Sequence, residues 1–233
     1  MNRILLLAAI TSLFVLTGCG QQPSEKLLAY EENHEIIGTE KDEIIGEVSS
    51  TIYDTIDRSN SKATELIVGP ITAQGEDITP PEGRYIITAE ENLTGKPQSG
   101  RVLIYDTDGV LLYETLLDMG FGVDTVTVDL NGSHTVHFDG IDQAIITPVP
   151  TGITNELTAG IWEVGKDIEP GDYSITTESG FALGDLQLFE KGKSPRVFEF
   201  LNSNPETAVN IQLKEGQKLK IDNLSYLKFE RVP

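Results

Sequence analysis

The chain has 233 residues, enough for one large domain or two small ones, and 39% of them are apolar. Its 17 basic residues stand against 37 acidic ones, a formal net charge of −20. A phosphate-tracking surface needs basic stripes, so nucleic acid is excluded as a partner. Acidity on this scale serves solubility first, and divalent cations or a basic partner second.

The N-terminus, MNRILLLAAITSLFVLTGCG, carries Arg3 and then an unbroken apolar-to-small run from Ile4 to Leu16. That run is far short of the roughly 20 residues that span a bilayer, and has the length of a signal-peptide core. The segment resembles bacterial lipoprotein signals, whose Leu-x-Gly/Ala-Cys lipobox is filled by Leu16, Thr17, Gly18 and Cys19. The resemblance implies that residues 1–18 are a signal cleaved between Gly18 and Cys19, and that Cys19 is linked to diacylglycerol. It also implies an extracytoplasmic protein held at a membrane by its lipid. Cys19 is the single cysteine, so no intramolecular disulfide forms.

Residues 19–25 read as a lipidated polar tether. Over 26–58 the apolar positions Ile37, Ile44, Val48, Ile52 and Ile56 recur at a helical period. The expectation is an amphipathic helix that packs on the following domain. A self-associating stalk through residues 26–58 is the alternative, and Gly38 and Gly46 are the points where the helix would break. Residues 59–65, containing SNSKAT, read as a linker.

Beyond Glu65 the period changes to two, with Gly, Pro and Asp punctuation every eight to twelve residues. A phrase is also spelled twice: GEDITPPEGRYIIT (75–88) and GKDIEPGDYSIT (165–176). Asp77 matches Asp167, Pro80 matches Pro170, and Tyr85 matches Tyr173. The parallel continues through SGRVLIY (99–105) with LGDLQLF (183–189), and on to Asp139 with Asp222. The chain is therefore mainly β, with two homologous antiparallel β-sandwich domains of jelly-roll-like layout, at 66–150 and 151–233.

AGIWEVGKDIEPGDY (159–173) resembles a β-repeat of uncharacterised surface proteins and lipoproteins of Gram-positive bacteria. The first copy, GPITAQG (69–75), lacks the Ala-Gly and the aromatic of Trp162. The overall layout is loosely similar to jelly-roll domains appended to secreted proteases.

Catalytic constellations are thin. Cys19 is committed to lipid, and HTVH (134–137) places His134 and His137 on opposite faces of a strand. Ser133 beside His134 lacks an oriented base. DTDG (106–109) makes Asp106 and Asp108 a weak calcium candidate, although Asp-Gly between apolar strands is a hairpin turn. Most aromatics of the second copy fall at core positions, and Trp162 and Phe181 are the candidates for a recognition contact.

These observations point to a non-catalytic binding or assembly module at the cell envelope, with no cofactor, and an envelope protein or wall glycan as partner. A glycan-binding module is the first alternative, and a carboxylate-based hydrolase the second.

Overall fold

The computed structural model describes residues 23–90, 98–118, 123–177, 183–201 and 208–232, and is mainly β. In the first repeat the strands are β2 (Leu66–Val68), β3 (Glu76–Ile78), β4 (Gly83–Ala89), β5 (Ser99–Tyr105), β6 (Leu111–Asp118), β7 (Thr125–Leu130), β8 (Thr135–Asp139) and β9 (Ala144–Pro148). They form two antiparallel layers, β2-β9-β4-β7 and β3-β8-β5-β6. Apart from the β5–β6 hairpin, consecutive strands alternate between layers, which is the jelly-roll connection. Tyr85, Ile87, Val102, Ile104 and Phe138 fill the space between, because inward residues recur with period two.

The second repeat builds the same layers with fewer, longer strands: β10 (Glu156–Glu163), β11 (Gly171–Thr176), β12 (Leu183–Phe189), β13 (Arg196–Leu201), β14 (Val209–Leu213) and β15 (Lys218–Arg231). β10 and β15 each pass from one layer to the other. Their outer halves pair with each other and join β11 and β14, through Leu157 with Leu227 and Ser174 with Glu230. Their inner halves pair through Ile161 with Lys220 and join β12 and β13. The crossings occur at a register shift before Gly160 and near Asn223, whose φ is 53°.

The duplicated phrase makes the same lock in both copies. Each tyrosine hydroxyl donates to the carbonyl four residues earlier: Tyr85 to Pro81 at 2.8 Å and Tyr173 to Glu169 at 2.9 Å. Both rings are buried, so the bond satisfies the hydroxyl while fixing the turn that feeds the strand.

Residues before the first repeat do not form one helix over 26–58, which corrects that expectation. They fold as a strap: α1 (Glu25–Asn33), β1 (Glu35–Ile36), α2 (Thr39–Ile45) and a 3₁₀ turn at Ser50–Tyr53. Ser24 caps α1, and His34 ends it in the left-handed region at φ 52°. Gly38 and Gly46, at φ 78° and 61°, bound α2. Ile36 is drawn instead onto the free edge of β13, where Glu35 pairs with Phe198.

Ile52 and Ile56 are buried within this chain, so the isoleucine seam of a stalk is not free. Residues 59–65 are no loose linker either. The Asn60 side chain donates to the Val149 carbonyl and accepts from the Arg84 amide.

The repeats are joined side on. Edge strand β7 meets β10 in parallel at Thr127 and Gly160. Ala159, Ile161 and Phe189 of the second repeat close the core of the first. A Cβ at Gly160 would overlap the Thr127 carbonyl, and φ there is 135°, so only glycine allows this approach. That accounts for an Ala-Gly step in the second copy without a counterpart in the first.

Candidate functional site

A cleft of about 640 Å³ opens where α2 crosses both repeats. Its walls carry the carboxylates of Glu43, Glu47, Glu114 and Asp222 against the cations Arg101 and Lys220. Ile44, Leu111 and Leu116 lie on its rim and are 37–44% exposed. A second cavity of about 170 Å³, lined by Leu183, Asp185 and Glu199, shares Ile44 and Asn223 with the first. The two adjoin beneath the strap.

Asp185 and Asp222 form the floor. They are cross-strand partners on β12 and β15, with Gln187 facing Lys220 two positions along. Burial raises both carboxyls, and the Asp222 pKa is pushed up to about 7. Lys220 opposes that shift, while Asp185 and Glu114 add to it. Tyr113 of β6 packs over this face and donates to the Ile221 carbonyl at 2.9 Å, its own pKa raised by burial and then by Asp222.

The equivalent place in the first repeat is built differently. There Arg101 stands across from Asp139, and the guanidinium grips the carboxylate at 3.1 and 2.5 Å. Arg101 matches Asp185 in the repeat alignment, and Asp139 matches Asp222. An ion pair in one copy is an acid pair in the other.

A second polar cluster sits at the seam. Arg58 of the strap and Arg84 of β4 each bridge Asp129 and Asp167, at 2.5 to 3.1 Å. Burial works against the charge on Arg58, but the two aspartates outweigh it and raise its pKa. Asp167 is fully buried and accepts the Glu163 amide at 2.8 Å, the backbone bond expected of a turn aspartate. Its counterpart Asp77 is exposed and holds His137 at 2.6 Å. Every member of the seam is paired, so this cluster is a latch.

Trp162 is corrected as a solvent-facing contact. It is 8% exposed, its indole donates to the Thr158 carbonyl at 2.7 Å, and the Arg84 guanidinium lies 4.8 Å from its ring centroid. The aromatic missing from the first copy is thus spent on joining the copies.

Asp106 is corrected as a calcium ligand. It accepts from the Ser49 hydroxyl at 2.6 Å and from the amides of Asp108 and Val110, which closes the hairpin and pins the strap. The Ser49 bond, foremost, holds its pKa below the usual carboxylate range. Asp108 is exposed. Among the described residues no group of three His, Cys, Asp or Glu side chains is placed to hold a metal.

His134 is buried against the Thr51 hydroxyl and His137 faces outward, as their spacing implied. Gly18, Cys19 and Phe181 lie outside the described residues.

Sequence reasoning passed over Arg58, Arg84, Asp185 and Asp222. The last two carry a signal: aligning the repeats sets Asp185 where Arg101 serves Asp139. In comparisons with known proteins, no family model matches this sequence and no curated protein is significantly similar to it.

Proposed function

We propose that this protein is a lipid-anchored envelope lipoprotein acting as a non-catalytic binding and assembly module, whose cleft beneath α2 receives a basic segment of a partner protein. The observation that carries the reading is the cleft itself: four carboxylates against two cations, with apolar Ile44, Leu111 and Leu116 exposed on the rim. Charge complementarity of this kind steers encounter, and apolar side chains at the edge supply contact area. The latch at the seam supports it, since a cleft between two repeats needs both walls fixed.

The anchor belongs to the same proposal. Five residues separate Cys19 from the start of α1, a reach of at most about 20 Å. A lipidated Cys19 would hold the strap, and the cleft beneath it, close to the membrane. Among the described residues no helix is long and apolar enough to cross a membrane.

The glycan-binding alternative loses its stacking platform at Trp162, which lies under Arg84. The hydrolase alternative needs carboxylates that a glycosidic bond can reach, whereas one oxygen each of Asp185 and Asp222 is shut from solvent.

Photo-crosslinkers placed at Leu111 and Leu116, with exposed Ile153 as reference, test the reading in cells. Capture of one protein through a basic segment, lost in Glu43→Lys/Glu47→Lys, is the expected result. Equal capture from Ile153, or wall glycan alone, would overturn it.

A further inference from the structure

Three oxygens on one face of the second repeat lack a positive partner. Asp185 Oδ1, Asp222 Oδ1 and Gln187 Oε1 are each shut from solvent and have no hydrogen-bond partner among the described residues. Residues directly opposite on antiparallel strands place their Cβ atoms about 4.5–5.5 Å apart, and like charges there repel. Asp185 and Asp222 are such a pair. Gln187 is 1% exposed, and its side chain hydrogen-bonds the Asp185 carboxyl. Its own free oxygen is thus one amide group and one hydrogen bond from the Asp185 carboxyl.

We propose that Asp185, Asp222 and Gln187 bind a hard divalent cation of the calcium class between the two repeats.

The first repeat shows what the position requires. Across the same strands, Asp139 is neutralised by the Arg101 guanidinium. The second repeat has replaced that arginine by Asp185, leaving two acids and no internal cation between them. Lys220 is the nearest ammonium. It faces Gln187 on the sheet, and its Nζ lies 5.9 Å from the Tyr113 ring centroid. It offsets one of the two charges, while Glu114 and Glu199 deepen the negative field.

The donor set is all oxygen, two carboxylates and an amide carbonyl, which suits calcium over softer transition metals. Water and backbone carbonyls complete such a site. The enclosed oxygens favour a single ion over an organic amine, whose bulk could not reach them. The two cavities supply entry, one reaching Asp222 and the other Asp185. Asp222 also lines the cleft, but the ion site is defined without a partner present and stands whether or not a peptide docks above it.

The test is a calcium titration of the chelator-treated full chain at pH 8, read by calorimetry and thermal unfolding. One site is expected, with a dissociation constant of about 10⁻⁴ to 10⁻³ M and a higher melting temperature in calcium. Asp185→Asn/Asp222→Asn should remove both signals, and surface variant Asp108→Asn should keep them. The double variant relieves the acid repulsion, so it should fold without the ion. Asp185→Arg restores the arrangement of the first repeat and should make stability independent of calcium. Neither heat nor a thermal shift at about 10 mM calcium would overturn the proposal, as would signals that persist in the double variant.

Discussion

Arg58 and Asp167 stand 109 residues apart in the chain and are joined by two hydrogen bonds, at 2.9 and 3.1 Å. The strap thereby reaches across the first repeat to the duplicated aspartate of the second. Arg58→Ala would leave Asp129 and Asp167 buried with only Arg84 between them, so a loss of roughly 3–5 kcal/mol is expected in urea unfolding. Asp77→Ala, at the matching but exposed position, should cost no more than about 1 kcal/mol. Similar losses for both would mean that the two copies use the aspartate alike, against the geometry.

The side-on joint rests on Gly160. Gly160→Ala sets a methyl against the Thr127 carbonyl and must push β10 away from β7. The expected outcome is a lower melting temperature together with faster proteolysis between the repeats. Gly152→Ala, with open space around it, should change stability by less than about 1 kcal/mol. If the two variants behave alike, the repeats do not depend on this contact.

Strands and turns of both repeats were legible because alternation and Pro/Gly punctuation are local signals. Tyr85 and Ile87, or Tyr173 and Ile175, announce their inward face within a few residues. The strap was not legible in the same way. Its isoleucines fit a helical period, but Ile36 gains more from the open edge of β13 than from a helical turn, and that edge lies some 160 residues away.

The acid pair was hidden for a related reason. In LGDLQLF and LKIDN, Asp185 and Asp222 occupy the polar positions of alternating strands, which read as a solvent face. That face is buried because Tyr113 and α2 lie over it, a fact of packing between repeats. The seam is similar: Arg58 and Arg84 look like ordinary surface cations until Asp129 and Asp167 are brought to them.

Edge protection predicts what the strap does for the second repeat. β1 covers β13, and the Asn33 side chain exchanges two hydrogen bonds with the Asn210 backbone on β14, at 2.8 and 2.7 Å. In the first repeat the strand that matches β14, β7, is covered by β10 of the second repeat. Removing residues 23–36 would leave β13 with unpaired backbone groups, an invitation to pair with another copy. Sedimentation should then show concentration-dependent self-association that the full chain lacks. A strictly monomeric truncated chain would show that the edge is protected by other means.

The raised Asp222 carboxyl fixes the sign of one pH effect. Its pKa in the folded chain is about 7, against 3.8 for an ordinary aspartate. Between those values the folded state holds a proton that the unfolded state has released, so this group makes stability fall as pH rises toward 7. Asp185, Glu114, Lys220 and Tyr113 all face it, and the two aspartates lose their protons as a coupled pair. His134 pulls the other way: burial depresses its pKa, so its contribution grows as pH rises through the same range. The difference between wild type and Asp222→Asn isolates the aspartate. In chelator, the two should match near pH 4 and diverge by up to about 4 kcal/mol in favour of the variant at pH 8. Calcium should narrow that gap for the wild type alone. A gap that is constant from pH 4 to 8 would mean that Asp222 is already ionised at low pH, and that the floor of the cleft is far better solvated than its buried oxygens indicate.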